Sequence, residues 1–493
     1  MKHEWKTQKV ATRVTWMLPV MLAVFFLLAT AQFVPAQTIP QQKAATVTGA
    51  PDFSSGAHAV ESVDPVGGPR SVVYNLNPTI SDLTLAANGP YFYVIERYQA
   101  DNVSKYQIDA PSTRLWQCST LGAGETSSNP HDLVFVSSSK AYLTRYGTAK
   151  LWIVNPSAAD CASFKIGEID LSAFADADGI PEMDKGVIVG NKLFITLQRL
   201  DSTWVPQNGY LAVIDVNTDT VINPGIANPD NVPGIPLNAK NPSTIQYLPN
   251  NGQLYVQCAG NFFPQEFTGG IVKVDPTTYA TTLVLDDSAT YGNVFDIAIL
   301  SPTKGYFIGY AAYQNNTLYS FNPSNGTVLG TGIAGLAGTN LLGGLNIDKN
   351  KMLWAGAVGE LIVINTTSDT QDEALDVDLN PLRTQFCTYV PASFWTGALD
   401  LGSGWKWLAW FGYFSDKENP WIYHLEHHWL YPYGTSTNDL TFYDSAMGAF
   451  WWTSQAVYPN LYRFSDGAWL WYLEGSSNPR WFYNYNTSSW EQH

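Results

Sequence analysis

One short apolar pattern recurs through the middle of the chain. It reads Tyr91-Phe92-Tyr93-Val94, Tyr142-Leu143-Thr144, Leu193-Phe194-Ile195, Leu254-Tyr255-Val256, Tyr306-Phe307-Ile308 and Leu353-Trp354-Ala355. The central positions, 92, 142, 194, 255, 307 and 354, are 50, 52, 61, 52 and 47 residues apart. A second apolar run precedes each copy, as in Asp132-Leu133-Val134-Phe135 or Asp296-Ile297-Ala298-Ile299. A third follows and stops at a turn, as in Leu151-Trp152-Ile153-Val154-Asn155-Pro156 and Ile271-Val272-Lys273-Val274-Asp275-Pro276. A fourth closes the unit, as in Phe164-Lys165-Ile166-Gly167-Glu168-Ile169. Four short strands per ~50 residues, punctuated by Pro and Gly turns, predict one propeller blade. A four-stranded sheet has two apolar faces, and radial stacking covers both. Six units are plain, and strand-like stretches at Val72-Val73-Tyr74-Asn75-Leu76 and at 374–379 flank them. One of these closes the ring, so six to seven blades are expected over residues 70–380.

Beyond residue 404 the pattern changes. Residues 405–493 hold 11 of the chain's 18 Trp and 10 of its 27 Tyr. Pro420-Trp421-Ile422-Tyr423 leads to Trp429-Leu430-Tyr431, Pro459-Asn460-Leu461-Tyr462 to Trp469-Leu470-Trp471-Tyr472, and Pro479-Arg480-Trp481-Phe482 to Trp490. Each copy reads as a strand, a polar turn and a return strand. The prediction is a repeat of small β-hairpins with aromatic cores, because hairpins are too small to bury aliphatic layers. Residues 381–404, ending in Gly402-Ser403-Gly404, read as a linker. The whole chain is therefore all-β.

At the N-terminus, Lys2, Lys6, Lys9 and Arg13 precede an apolar run from Trp16 to about Val34, then Val34-Pro35-Ala36. This is the three-part pattern of a secretory signal peptide over residues 1–36, with an uncleaved anchor as the alternative. Residues 37–69 read as a flexible segment before the propeller. Export, to the periplasm, the cell surface or the medium, makes the four cysteines relevant. Cys118 and Cys161 lie about one repeat apart and are candidates for a disulfide between neighbouring units.

The propeller repeats resemble those of the YVTN-repeat, YncE-like exported family over residues 70–380. Asn129-Pro130-His131-Asp132, then Ala141-Tyr142-Leu143-Thr144, then Val154-Asn155-Pro156 is the best-matching unit. The resemblance implies a ring of seven or so blades outside the cytoplasm, often without known catalysis. The tail is similar to Trp-rich terminal modules of exported bacterial proteins and, in residue type, to cell-wall-binding repeats.

Composition narrows the function classes. Charged residues are 14% of the chain, against roughly 25% in typical domains, which excludes coiled coils and charge-driven disorder. A net charge of −16 argues against nucleic acid as a partner.

In a propeller the loops entering the inner strands share one face with the loops joining the second and third strands. That face should collect His131, Asp132 and Glu182, with Arg97, Arg145 and Arg199 recurring at the second-strand ends. Three Arg on one rim would clamp an anion or carboxylate; alternatively each pairs with a local acid. Asp176, Asp178 and Glu182 alternate as in a calcium loop, but without the fifth-position ligand or the closing Glu of an EF-hand. A structural loop is the main reading and calcium the alternative; no cofactor is otherwise expected. His424, His427 and His428 could hold a metal only on a helix. No nucleophile elbow, zinc-protease motif or phosphate-binding loop is present.

Two functions remain. One is a binding or scaffold protein, taking a small molecule, glycan or protein at the propeller face and reaching the cell envelope or a glycan through its aromatic tail. The alternative is a funnel enzyme of metal-dependent lactonase or lyase type.

Overall fold

The structure is a computed structural model. It describes residues 41–64, 70–377, 380–389, 395, 397–418 and 421–493. The expected leader at 1–36 lies outside them. The described residues divide into two compact units, 41–389 and 395–493.

Residues 41–389 form seven blades. Six run from the inner strand outward in chain order, beginning with Leu83–Asn88, Pro130–Ser137, Met183–Val189, Pro242–Leu248, Asn293–Ser301 and Leu341–Ile347. The seventh is composite. Its inner strand is Asn380–Tyr389, from the far end of the repeat array, and its outer three are Gln41–Gly49, Gly56–Ser62 and Val72–Thr79. Gln41 pairs with Tyr389 and Gly49 with Asn380, and this antiparallel ladder closes the ring.

The expected boundaries therefore move. The segment at 37–69 contains two blade strands, and the expected linker at 381–404 begins inside the closing strand, which runs to Tyr389. The cause is side-chain size. Gln41–Gly49 is rich in Ala and Thr, so it lacks the aromatic signature, yet Ala44, Ala45 and Val47 are wholly buried. On the adjoining strand a small residue is required at Gly56, where a Cβ would lie 2.3 Å from the Ile80 carbonyl oxygen and 2.7 Å from a Leu83 methyl.

Seven apolar clusters lie between the blades, one per interface. Between the blades that begin with Leu83–Asn88 and Pro130–Ser137, for example, Tyr93, Ile95 and Val103 pack on Leu143, Trp152 and Val154. The same interface carries the Cys118–Cys161 disulfide, with Cα atoms 5.2 Å apart. Closing a loop across 43 residues restricts the unfolded chain by about 4 kcal/mol in the chain-entropy model. Cys258 and Cys387 are buried thiols.

Residues 399–492 form one eleven-stranded antiparallel sheet in strict chain order, from Leu399–Gly402 to Ser489–Gln492. The expected hairpins are present, but they join edge to edge. Alternation sets the two faces. Phe414, Ile422, Leu430, Phe442, Trp451, Leu461, Leu470 and Phe482 fill the core. Trp429, Tyr433, Phe450, Trp469, Trp481 and Trp490 remain exposed. The sheet curls on itself, because Arg480 reaches Asp444 in a fully buried ion pair (2.6 Å).

Candidate functional site

Three loops of the propeller bring a polar network to one mouth of the central channel. The Asp101 carboxylate accepts the backbone N–H groups of Ser128 and Asn129, each at 2.7 Å, and so fixes the loop entering the strand Pro130–Ser137. That loop delivers His131. The Arg97 guanidinium, from a second-strand end, donates to His131 Nε2 at 2.6 Å. Arginine has no acceptor, so Nε2 carries the lone pair and Nδ1 carries the hydrogen. Nδ1 donates to Asp184 Oδ1 at 2.8 Å. The other Asp184 oxygen accepts Ser243 Oγ and Gln198 Nε2. Tyr146 stacks on the imidazole at 4.1 Å and 15°, and its hydroxyl donates to Gln198 Oε1 at 2.6 Å.

Charge states follow from this geometry. Burial, then the neighbouring Arg97 charge, push the His131 pKa down to about 3, so the ring is neutral. Burial alone would raise the Asp184 carboxyl, but His131, Lys185 and Ser243 outweigh it and hold it below the usual carboxylate range. The network thus comprises a fixed anion, a neutral ring and a permanent cation in series.

Arg97, His131, Tyr146 and Asp184 line a mouth cavity of about 830 Å³, with Tyr98 and the 70%-exposed Trp204 on its wall. Trp204 lies on the loop between Lys192–Leu197 and Asn208–Asp215. Phe263, also exposed on a loop, is not part of this cavity wall.

The three arginines do not converge. Arg97 meets the cavity and also pairs with Asp82 at 3.3 Å. Arg145 is fully buried over Trp152, paired with Glu125 and donating to the Thr120 carbonyl at 3.0 Å. Arg199 bonds Asp230 at 3.0 Å and the Asn208 carbonyl at 3.2 Å, lying over Tyr210. Both tie loops together. Each stands beside a carboxylate supplied by another loop, Glu125 at 20 and Asp230 at 31 positions' separation, which satisfies it before any ligand can.

Asp132 turns its carboxylate to backbone N–H groups, of Leu133 in its own strand and Gly186 in the next inner strand, both at 3.0 Å. It laces two blades. Glu182 accepts the Leu200 N–H at 3.0 Å and lines a separate pocket of about 210 Å³ with Asp178 and Trp204. Burial, then the neighbouring acids, push its pKa up to about 8. Asp176 and Asp178 accept N–H groups of their own turn. Among the described residues no group of three His, Cys, Asp or Glu is arranged to hold a metal ion. That covers Asp176, Asp178 and Glu182, and the tail histidines too. His424 Nε2 donates to the Phe411 carbonyl at 2.6 Å, while its Nδ1 accepts the His427 N–H at 3.0 Å.

Sequence reasoning missed Tyr146, Gln198 and Ser243, and did not single out Lys185 or Arg383, which also line the mouth cavity. A signal for the last two exists. Thr84, Asp132, Lys185, Thr244, Asp296, Asn346 and Arg383 place a polar residue within each of the seven inner strands.

No family model matches this chain, and no curated protein matches it. Among solved structures, apo AztD from Citrobacter koseri is similar at a TM-score of 0.43 and 12% identity, over 71% of this chain and 99% of that one. The Dos1 propeller is similar at 0.42 and 10%, over 70% and 89%. A chain of the nidogen/laminin complex is similar at 0.37 and 10%, over 62% and 98%. Likeness at this level carries no function across, and the seven-bladed ring stands on its own strand order.

Proposed function

We propose that this chain is an exported β-propeller binding protein, of the YVTN-repeat, YncE-like group, that takes a small molecule at its channel mouth. The carrying observation is the mouth cavity itself: about 830 Å³, concave, with aromatic walls and a few fixed polar groups. In a nucleophilic triad the serine bonds the histidine nitrogen opposite the carboxylate. Here Ser243 and His131 both bond Asp184, and the far nitrogen is occupied by Arg97. That arrangement supports a rigid recognition wall, and no specific feature of the cavity favours the lactonase or lyase reading. Export is supported by the signal-like leader and by the disulfide, which persists in oxidising compartments.

A thermal-shift screen of small polar metabolites tests the cavity. At least one compound should stabilise the wild type and lose that effect in Tyr146→Ala. A screen in which nothing stabilises, or in which both proteins respond alike, removes the reading.

The aromatic sheet has a second part in this proposal, association with surface glycan. Its support is the outer face, where Trp429, Trp469, Trp481 and Trp490 are 37–47% exposed, since aromatic faces suit sugar rings. The full chain should pellet with insoluble cell-envelope glycan, and a Trp469→Ala, Trp481→Ala, Trp490→Ala variant should stay in the supernatant. Wild type remaining in the supernatant would exclude this association.

A further inference from the structure

Two cations stand at the junction of two cavities. Lys185 and Arg383 line the mouth cavity and also a second one, of about 430 Å³, whose polar wall includes Thr244, Gln246, Asn346 and Gln385. Both cations belong to inner strands, Lys185 to Met183–Val189 and Arg383 to the closing strand Asn380–Tyr389.

The acids nearby are already committed. Asp132 is spent on two backbone N–H groups, and Asp184 on His131, Gln198 and Ser243. Asp296 accepts Thr244 Oγ1 at 2.7 Å and the N–H groups of Ile297 and Leu345 at 2.9 Å each. The cations are not committed to the same degree. The Lys185 ammonium donates to the His131 carbonyl at 2.6 Å and reaches Thr84 Oγ1 only at 3.4 Å. Arg383, whose side chain is 19% exposed, has its one ion contact with Asp296 at 3.8 Å, and its buried Nε has no partner among the described residues. A guanidinium carries five N–H donors in a planar fork.

Burial above all disfavours the charged form of Lys185; Asp132 and Asp184 offset part of this, and Arg383 and Arg97 add to it. A ligand oxyanion between Lys185 and Arg383 would bring a further opposite charge into a partly desolvated channel, where such attraction is stronger than in water. Gly344 permits the approach that places Arg383. Its φ is +71°, and a Cβ there would lie 2.7 Å from the Leu382 carbonyl oxygen and 3.1 Å from Arg383 Cα.

We propose that this junction is an oxyanion site, at which a small molecule's carboxylate or phosphate group takes the Arg383 fork and the Lys185 ammonium, with the ligand body in the mouth cavity against Tyr146. This rests on the reading that the mouth cavity binds a ligand, and it names that ligand's charged group.

The test is titration of the full chain with acetate, succinate and inorganic phosphate against chloride at constant ionic strength, following tryptophan fluorescence and the unfolding midpoint. Succinamide, uncharged and of the same shape as succinate, runs in parallel. At least one oxyanion should saturate and raise the midpoint while succinamide does not. Arg383→Gln and Lys185→Gln should each weaken it at least tenfold, with partial recovery in Arg383→Lys. Whether acetate and succinate or phosphate binds tighter assigns the group. Should Arg383→Gln not fold, Lys185→Gln carries the comparison. The proposal is overturned if none of the acids exceeds chloride, or if the folded glutamine variants bind as the wild type does. If succinamide binds as tightly as succinate and Tyr146→Ala abolishes both, the mouth cavity remains a binding site and the oxyanion site is wrong.

Discussion

Glu61 sits fully buried in the composite blade, accepting a hydrogen bond from Thr46 Oγ1 at 3.1 Å. Burial outweighs that bond and pushes its pKa up to about 8, from an ordinary 4.5. On the same strand burial pushes His58 down to about 4, from 6.5, although its Nε2 donates to the Pro111 carbonyl. The folded chain therefore holds a proton on Glu61 that the unfolded chain has released, and stability falls as pH rises from 4.5 to 8. His58 acts oppositely: the unfolded ring takes a proton that the folded ring refuses, so stability is lost as pH falls from 6.5 to 4. Between 4.5 and 6.5 the two slopes oppose. Above 6.5, of these two groups, only the Glu61 slope survives, at about 1.4 kcal/mol per pH unit, and Glu182, also pushed up to about 8, adds to it with the same sign. Denaturant titrations between pH 6.5 and 8 should show wild-type stability falling, and Glu61→Gln falling less steeply by roughly that slope. Parallel curves would refute the assignment. None of this is legible from the sequence, where Glu61 and His58 stand in a segment that reads as unstructured. Arg97 and His131 were visible as candidates because they fall at blade-register positions; their bond to one another was not.

At the scale of elements, aromatic strands announced themselves and small-residue strands did not. The second strand of most repeats carries a Tyr, Phe or Trp that marks it, whereas Gln41–Gly49 is buried by virtue of having little to bury. The consequence can be measured. A chain begun at residue 70, where the pattern suggests that the propeller starts, leaves Asn380–Tyr389 without its partner strand. That exposes an unpaired edge and the apolar faces beside it. Such a chain should be recovered as aggregate, while one begun at residue 40 should give a monodisperse species by size-exclusion chromatography. Equal behaviour would show that the composite blade is dispensable. The aromatic tail posed the reverse problem. Its hairpins were legible from Pro and Trp spacing, but their union into one sheet depends on pairings such as Leu470 with Asn484, which no local pattern specifies.

Across each unit, long-range closure determines stability. In the tail, Asp444 accepts two bonds from Arg480, at 2.6 and 3.0 Å, and one from Trp451 Nε1 at 3.1 Å. Both side chains of the pair are inaccessible to solvent. Removing one partner leaves the other charge buried and uncompensated, at a cost of about 3–5 kcal/mol. Asp444→Asn should therefore lose the tail's near-ultraviolet tryptophan dichroism at far lower denaturant than the wild type. An unchanged transition would mean that the curl does not depend on the pair. In the propeller the corresponding closure is the ladder between Gln41–Gly49 and Asn380–Tyr389, backed by seven apolar inter-blade clusters.

The sequence by itself determined the all-β class, the repeat, the aromatic second module and the face on which His131 and Arg97 lie. Periodicity and turn residues are local, and local patterns survive being read one residue at a time. The tertiary structure alone decided that there are seven blades, that the ends of the array share one of them, and that Arg145 and Arg199 are spent while Arg383 is not. The ring closure depends on residues that meet across 300 or more positions of chain, as Thr46 and Thr384 do at a separation of 338, and the arginine pairings on loops that meet across 20 and 31. No spacing records such a meeting, because it is fixed by how every blade between them packs.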